Sequence, residues 1–517
     1  MSATMQPPSK TYDAIIIGAG HNGLVAANYL AKAGKKVLVL ERRDVAGGQV
    51  VTESFGEGFT VDALHAGGSL RPDIVAALGL TKHGLATAND AKPAYISLLP
   101  GGKQLRLVAD GKDAQTLAAI RELSANDAAR WPDFVAFMDK AAAFLDAAYR
   151  TPMPRLPPAS MLSDGLPLAK LGWKLRKLGG KDMFKVIRSM SMSMVEFTEE
   201  WFEAEPLRAA IAAVGIHGFS LGAMSAGTGY TLMHNWLNRG GLAHRPVAGG
   251  TGKIADALVA ALKANGGEVR TSAGVQKVLV DKQQATGVKL ANGEEIKARL
   301  VLSAADPRHT LLGLVGAVEL PPEFVWHTQS IKMRGSVAKI HLLTNGSHGL
   351  PAGTLAIAPA LRYLERAFDA AKYGEISAQP YLEVTSPQLD KARNVVSIHF
   401  QFAPYKLRSG DWEGNRGRVE QLAIATLAEH FPALKASIKQ IESILPTDME
   451  ETYGLTEGDL NHGQLILDQM FFMRPMPGYS NHRTPIDGLY LCGSGVHGGG
   501  GISGASGRNA ATAVLKK

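Results

Sequence analysis

Tyr12-Asp13-Ala14-Ile15-Ile16-Ile17-Gly18-Ala19-Gly20-His21-Asn22-Gly23 decides the fold. The short apolar run fits a strand covered on both faces, as in a parallel sheet. The glycines follow as G-x-G-x-x-G where a strand must turn into a helix. Gly18 permits the tight turn, Gly20 lets the main chain approach a pyrophosphate, and Gly23 lets helix and strand pack closely. The helix predicted over Leu24–Lys32 offers free N–H groups and a positive dipole end to phosphate. Lys36–Leu40 then reads as a second strand ending in Glu41, which completes a βαβ unit. A carboxylate there accepts hydrogen bonds from ribose hydroxyls, so FAD and NAD stay open and NADP is disfavoured.

The remaining composition sets the scale. With 517 residues, 45% of them hydrophobic and 20% charged, the chain is globular and long enough for two to four domains. One cysteine, Cys492, excludes an intramolecular disulfide framework, a zinc ribbon and a CxxC redox pair, each of which needs two thiols. No apolar run reaches the length of about 18 residues expected of a membrane-crossing helix. Met1–Lys10 is polar and lacks the apolar centre of a signal peptide, so it reads as a disordered lead-in and the expected compartment is cytoplasmic. A mitochondrial matrix address stays open.

The net charge of +8 is concentrated in 166–190, where Lys170, Lys174, Arg176, Lys177, Lys181, Lys185 and Arg188 face the single acid Asp182. Leu168, Leu171, Leu175 and Leu178 recur at helical spacing. Two readings follow: a basic amphipathic helix on an anionic membrane surface, or a solvated helix with its leucines on the core. No basic-aromatic platform points to nucleic acid.

Elsewhere the chain alternates between two textures. Residues 110–240 read as mostly helical, with Ser124-Ala125-Asn126-Asp127 as a capping-box start. Thr151–Pro158 is proline-rich and reads as a surface crossing. From Gly252 helices and strands alternate: a helix over Ile254–Lys263, strands over Glu268–Thr271, Val275–Asp281, Ala285–Leu290 and Leu300–Ser303, then a strand over Val395–Phe402 and a helix over Val419–His430. The expected architecture is α/β (α+β overall). A Rossmann-like domain is assembled from 1–85, 235–309 and 456–517, and a mixed sheet and helical substrate domain from 86–234 and 310–455.

Two further glycine-rich stretches narrow the cofactor. Arg42-Arg43-Asp44-Val45-Ala46-Gly47-Gly48-Gln49 places a glycine doublet just after Glu41, which would bring N–H groups to a second stretch of diphosphate. Gly493-Ser494-Gly495-Val496-His497-Gly498 spells G-x-G-x-x-G again, too near the end of the sequence for a second βαβ unit. It reads as backbone and a helix N-terminus (Ala505–Leu515) brought against a ligand held by the first motif.

The R-x-x-x-G-G doublet resembles that of the flavin-dependent amine oxidase and phytoene desaturase superfamily. Asp468–Pro475, Thr484–Gly493 and Gly504–Ala510 are similar to its closing signature, and Val247–Gly252 and Ser303–Pro307 to its middle motifs. The wording His21-Asn22-Gly23-Leu24-Val25 resembles the branch that holds pyridine nucleotide-disulphide oxidoreductase domain-containing protein 2 and the desaturase-type carotene ketolases. Many members carry Arg after the doublet, where this chain has Gln49.

The resemblance implies an FAD-dependent oxidoreductase that oxidises or desaturates a hydrophobic, isoprenoid-like substrate by hydride transfer to flavin. An oxygen-using amine oxidase or ketolase, and a flavin-binding scaffold, are the alternatives. It implies Gly18, Gly20, Asn22 and Gly23 at the pyrophosphate, Glu41 at the ribose, and Arg42, Gly47 and Gly48 at the neighbouring phosphate. Val275 and Ala304 would lie near the adenosine, and Gly493, Ser494, Gly501, Ile502 and Ser503 along the ribityl chain and ring. For proton transfer, His65, His217, His462 and His497 lie in or beside glycine loops; His497, inside the last cluster, is the leading catalytic candidate. The pairs Glu199-Glu200 and Glu450-Glu451 read as solvated, and no metal-ligand spacing is present. The residues set no oligomeric state.

Overall fold

The structure is a computed structural model and describes residues 11–55, 59–86, 92–154, 161–346, 348–386 and 393–516. The lead-in expected over Met1–Lys10 lies outside them, as does most of the proline-rich crossing after Pro154.

The strand Tyr12–Ile17 sits inside a seven-stranded sheet, between Val37–Leu40 and Glu295–Ser303, both parallel to it. Its alternate side chains enter two different cores, which is why the sequence shows a run and no alternation. Ala14 and Ile16 pack with Val37 and Val39 beneath the helices His21–Lys32, Gly252–Ala264 and Ala505–Leu515. Ile15 and Ile17 pack on the opposite side with Leu38, Leu40 and the antiparallel strands Val275–Asp281 and Gln284–Leu290. All four are almost wholly buried, each worth about 1.5–3 kcal/mol for the larger side chains. Leu489–Leu491 joins the sheet beside Val301–Ser303 and brings the last glycine cluster back to the first.

A second sheet of seven strands runs Ile438–Ile444, Val337–Asn345, Arg393–Gln401, Tyr381–Thr385, Thr354–Ile357, Tyr95–Leu98, Gln104–Leu107. One face is apolar: Ile340, Leu342, Leu382, Val384, Ile398 and Phe400 pack beneath the helix Trp412–Ala428. The other carries polar residues. Register places Lys339 opposite His399, and His399 opposite Glu383, so the three form a row across adjacent strands.

Above this sheet lies a helical layer in which Ala125–Arg150, Glu205–Ile216 and Thr228–Arg239 share an aromatic core around Trp131, Phe134 and Trp236. The division expected at 235 falls inside Thr228–Arg239, because Tyr230, Met233 and Trp236 belong to this core. The division expected at 310 is displaced likewise: Leu311, Leu314 and Phe324 pack on the first sheet, and the chain enters the second at Val337.

Ser124 caps its helix by accepting from Asp127 N–H at 3.1 Å. The expected reciprocal bond is replaced: the Asp127 carboxylate accepts from Glu203 N–H and Ala204 N–H, both at 2.9 Å, and ties two helices together. Among the described residues no helix is long and apolar enough to cross a membrane. The basic segment forms two helices, Met161–Arg176 and Gly180–Ser191. Leu171, Leu175 and Leu178 are half-buried, while Leu166, Leu168, Trp173, Phe184 and Ile187 are exposed. Lys185 lies over the Trp201 ring and Arg188 pairs with Glu200, so those two charges are spent within the protein.

Candidate active site: a dinucleotide cleft and a polar chamber

A cleft of about 320 Å³ opens at the carboxyl ends of Tyr12–Ile17 and Val37–Leu40. It brings together Gly18, Gly20, Asn22, Glu41, Arg42, Gly48, Gln49, Val275, Ala304 and Ser494, residues that the sequence places far apart. Close packing explains the glycines behind its wall. A Cβ at Gly23 would stand 2.3 Å from Gly18 O, and one at Gly493 2.4 Å from Ala304 O. Gly48, at φ 59°, leaves room for Gly20 Cα, and Gly47 N–H donates to Ala19 O at 3.0 Å. The first motif and the doublet therefore touch and form one continuous rim.

Gly20 differs from these neighbours. A Cβ there would meet no protein atom within 4 Å. The space is open to a ligand at the N-terminus of His21–Lys32, where the first helical N–H groups lack intrahelical acceptors. Asn22 is fixed by donating from Nδ2 to Ser494 Oγ at 3.1 Å, and its buried Oδ1 has no partner. These features fit a dinucleotide diphosphate. Glu41 accepts from Ala19 N–H (2.8 Å) and Arg43 N–H (3.0 Å), which holds its carboxylate at the cleft floor. Arg42 lines the cleft, but its guanidinium donates to Glu451 O at 2.6 Å, so it braces the wall formed by Pro446–Tyr453. Gln49 donates to Leu460 O at 2.9 Å and meets His65 Nε2 through Oε1 at 2.9 Å. An uncharged amide tied this way supplies no cation to a phosphate.

Across Gln49, His65 and Leu460–His462 the cleft abuts a smaller chamber of about 80 Å³. Gly501 and Ile502 line it, together with His65, His217, His234, His244, His399, Lys339 and Arg239. Glu383 lies behind this lining, 2% exposed, with Arg239 Nη1 and Nη2 donating to its two oxygens at 3.0 and 3.2 Å and His244 Nε2 at 2.6 Å. Burial alone would raise its carboxyl; Arg239 and His244 outweigh that and hold it ionised, well below the usual range. Burial brings Lys339 down to about 8, opposed by Glu383. Burial also lowers His65 and His234 to about 3 and His21 to about 4, so these rings are neutral near pH 7.

The candidate histidines part company here. His462 lines the cleft, and His65 and His217 line the chamber. His497 lines neither: it is buried, and Nε2–H donates to Ala148 O (3.2 Å) and Thr151 O (3.0 Å), tying the glycine cluster to the end of Ala125–Arg150. Ser503 is likewise buried, its hydroxyl accepting from Ala505 N–H at 3.3 Å. Lys339, Glu383, His399, His244 and Arg239 escaped the sequence reading. A signal was available: Lys339-Ile340-His341, Ser397-Ile398-His399-Phe400-Gln401 and Tyr381-Leu382-Glu383 alternate polar and apolar residues at the period of a half-buried strand.

Comparison with known proteins agrees with this geometry. Residues 23–381 match the model of a family described as flavin containing amine oxidoreductase. The chain is 33% identical to pyridine nucleotide-disulfide oxidoreductase domain-containing protein 2 of Rattus norvegicus, covering 98% of this chain and 93% of that one. It is 26% identical to a lycopene-forming phytoene desaturase of a Paracoccus species, with 98% and 97% covered. An oxidoreductase structure from Methanosarcina mazei shares the fold, with a TM-score of 0.61 at 17% identity over 98% of this chain and 100% of that one. A flavin-containing family and a cradle for a dinucleotide diphosphate together identify the cofactor as FAD. The disulfide chemistry in the rat protein's name has no counterpart here, since Cys492 is the single thiol, buried and with its pKa pushed up by burial.

Proposed function

Because the chain belongs to the flavin containing amine oxidoreductase family, we propose that it is an FAD-dependent oxidoreductase that removes a hydride from a small organic substrate held in the chamber beside Gly501 and Ile502. The observation that carries this reading is that the two hollows adjoin across the Gln49–His65 hydrogen bond, so a flavin held in the cleft would lie beside the chamber. FAD supplies the two-electron acceptor. The protein's part is to orient the substrate and exclude water. Desaturase names among the relatives support an apolar, isoprenoid-like carbon frame.

The helices Met161–Arg176 and Gly180–Ser191 support delivery from an anionic membrane surface, because Trp173, Phe184 and Ile187 are exposed among Lys170, Lys174, Lys177 and Lys181. These exposed residues support a cytoplasmic protein that associates peripherally with a membrane. Lys170→Glu/Lys174→Glu/Lys177→Glu protein is expected to lose sedimentation with phosphatidylserine vesicles; undiminished sedimentation would remove the membrane reading.

The experiment that tests the function is anaerobic titration of FAD-loaded protein, followed at the visible flavin band, with NADH and NADPH and separately with organic donors. Bleaching by a donor and not by nicotinamides is expected. Bleaching by NADH alone would make the protein a reductase or ketolase, and no bleaching by any compound would remove the enzymatic reading.

A further inference from the structure

The charges of the chamber point to the class of substrate it holds, an inference that rests on the oxidoreductase reading above. Its lining carries three side chains that are cationic near pH 7, Arg239, Arg245 and Lys339, and, among the described residues, no carboxylate. Glu383, just behind the lining, has both oxygens taken. Arg239 Nη1 donates to Oε2 at 3.0 Å and Nη2 to Oε1 at 3.2 Å, and His244 Nε2 meets Oε1 at 2.6 Å. Arg239 and Glu383 therefore cancel, and the charges of Lys339 and Arg245 are left over.

Neither of these has a side-chain partner among the described residues. Lys339 is 7% exposed, stands opposite His399 in register, and its ammonium makes no hydrogen bond or ion pair there. Arg245 lies on the loop that follows Thr228–Arg239, and its buried Nε–H has no acceptor. The guanidinium rests against Gly240, where a Cβ would stand 2.7 Å from Nε and 2.9 Å from Nη2. A larger residue at 240 would displace it, so the glycine keeps this charge on the lining.

The rings of the lining, His65, His217, His234, His244 and His399, add no charge near pH 7, because burial lowers each of them. They do not select a ligand either. His217 Nδ1, although 3.2 Å from Glu383 Oε1, and His399 Nδ1 are buried without hydrogen bonds. Such a nitrogen accepts when bare and donates once protonated, so it suits ligands of several kinds. The fixed charges are more selective. A hydrocarbon, an alcohol or a neutral amine leaves both cations unneutralised. An ammonium or metal ion adds to the positive excess, and Arg239 already holds both oxygens of the carboxylate that would attract it. An oxyanion removes the imbalance, because ammonium and guanidinium both donate to it in charge-assisted hydrogen bonds.

We propose that the substrate carries an oxyanion, the carboxylate or phosphate at one end of its carbon frame, and that Lys339 and Arg245 hold it in the chamber. The anion anchors the molecule, and the carbon that loses the hydride lies toward Gln49 and His65, where chamber and cleft adjoin.

The test is equilibrium titration of the FAD-loaded full chain at pH 7, followed at the visible flavin band, with hexanoate, hexyl phosphate, hexylamine and hexanol, and with the geranyl compounds of the same four classes. An anion is expected to shift the band and saturate, more tightly than the amine or alcohol of the same frame by about 10-fold or more. Which anion binds more tightly distinguishes carboxylate from phosphate. Lys339→Met and Arg245→Met are each expected to raise the Kd of that anion by roughly 10- to 150-fold, and Lys339→Arg to keep most of the affinity. No shift with either anion, amine or alcohol binding as tightly, or unchanged anion affinity in both Met variants would overturn the proposal. So would a flavin reduction potential that moves in Lys339→Met while anion affinity does not, since Lys339 would then serve the cofactor. Bleaching judges the oxidoreductase reading separately. Anion binding with no bleaching by any donor would remove that reading and leave the anion site; bleaching by neutral donors alone would remove the anionic substrate and leave the reading.

Discussion

Two glycines three residues apart make opposite demands, and replacing each by alanine separates the protein's need from the cofactor's. At Gly23 the new methyl would stand 2.3 Å from Gly18 O and 3.0 Å from Ala304 Cβ, both parts of a closed core. A main-chain carbonyl cannot rotate away, so overpacking of about 1–3 kcal/mol outweighs the gain of about 1 kcal/mol in helix propensity. At Gly20 the backbone is extended (φ −67°, ψ 164°), which alanine adopts freely, and no protein atom lies within 4 Å of its Cβ. FAD-free Gly20→Ala protein is therefore expected to keep its stability or gain about 0.4–1 kcal/mol through a less flexible unfolded chain. Its methyl would instead fill the place of the diphosphate. Losing one charge-assisted hydrogen bond there costs about 1.5–3 kcal/mol, a Kd higher by roughly 10- to 150-fold. Denaturant midpoints of the FAD-free proteins and titration of flavin fluorescence measure both quantities. Wild-type FAD affinity in Gly20→Ala, or a loss of FAD-free stability matching that of Gly23→Ala, would refute the placing of the phosphates against Gly20.

Three more outcomes follow from the same geometry. His497→Ala is expected to cost about 2–4 kcal/mol of stability through a cavity and two carbonyls left without their donor, with the rate of flavin bleaching unchanged; a rate loss in protein of normal stability would restore His497 as a catalytic residue. Glu383→Gln leaves Arg239 buried beside a neutral amide and is expected to lower the denaturant midpoint by the equivalent of about 3–5 kcal/mol, while Glu383→Ala/Arg239→Met recovers part of it; equal midpoints would show that the pair is dispensable. Acid stability carries a definite sign. His21, His341 and His482 are lowered to about 4, and His65, His234 and His497 to about 3, chiefly by burial. Between about 6.5 and these values the unfolded chain binds protons that the folded one does not, so stability falls as pH drops, by about 1 kcal/mol per ring at pH 5.5. Midpoints that do not move between pH 7.5 and 5.5 would contradict the burial of these rings.

Local chemistry made the cofactor half readable in the sequence. The strand Tyr12–Ile17, the turn at Gly18–Gly23 and the acid at Glu41 lie within one βαβ unit, whose turn and spacing are dictated by steric rules acting over a few residues. Val275–Asp281 and Ala505–Leu515 were legible for the same reason, since periodicity and flanking glycines mark them. The meaning of Arg42 and Gln49 was not local. The charge of Arg42 suggested phosphate and Gln49 stood where relatives carry Arg, but the partners that claim them, the carbonyls of Glu451 and Leu460, arrive from some 400 residues away in the chain. His497 stands in a glycine cluster beside the flavin motif, yet its direction was set by the end of Ala125–Arg150, which the cluster packs against.

The chamber belonged to tertiary structure almost entirely. Lys339, His399 and Glu383 become a row only when three strands align in register, His244 and Arg239 come from a helix and loop laid over that sheet, and Gly501 and Ile502 complete the wall. The alternation along each strand announced a polar face without saying what it would face. The sequence by itself determined that a dinucleotide is bound, because the backbone conformation that binds it is a local property. Only the fold decided what stands beside the cofactor cleft, because that depends on which distant strands pair and in which register.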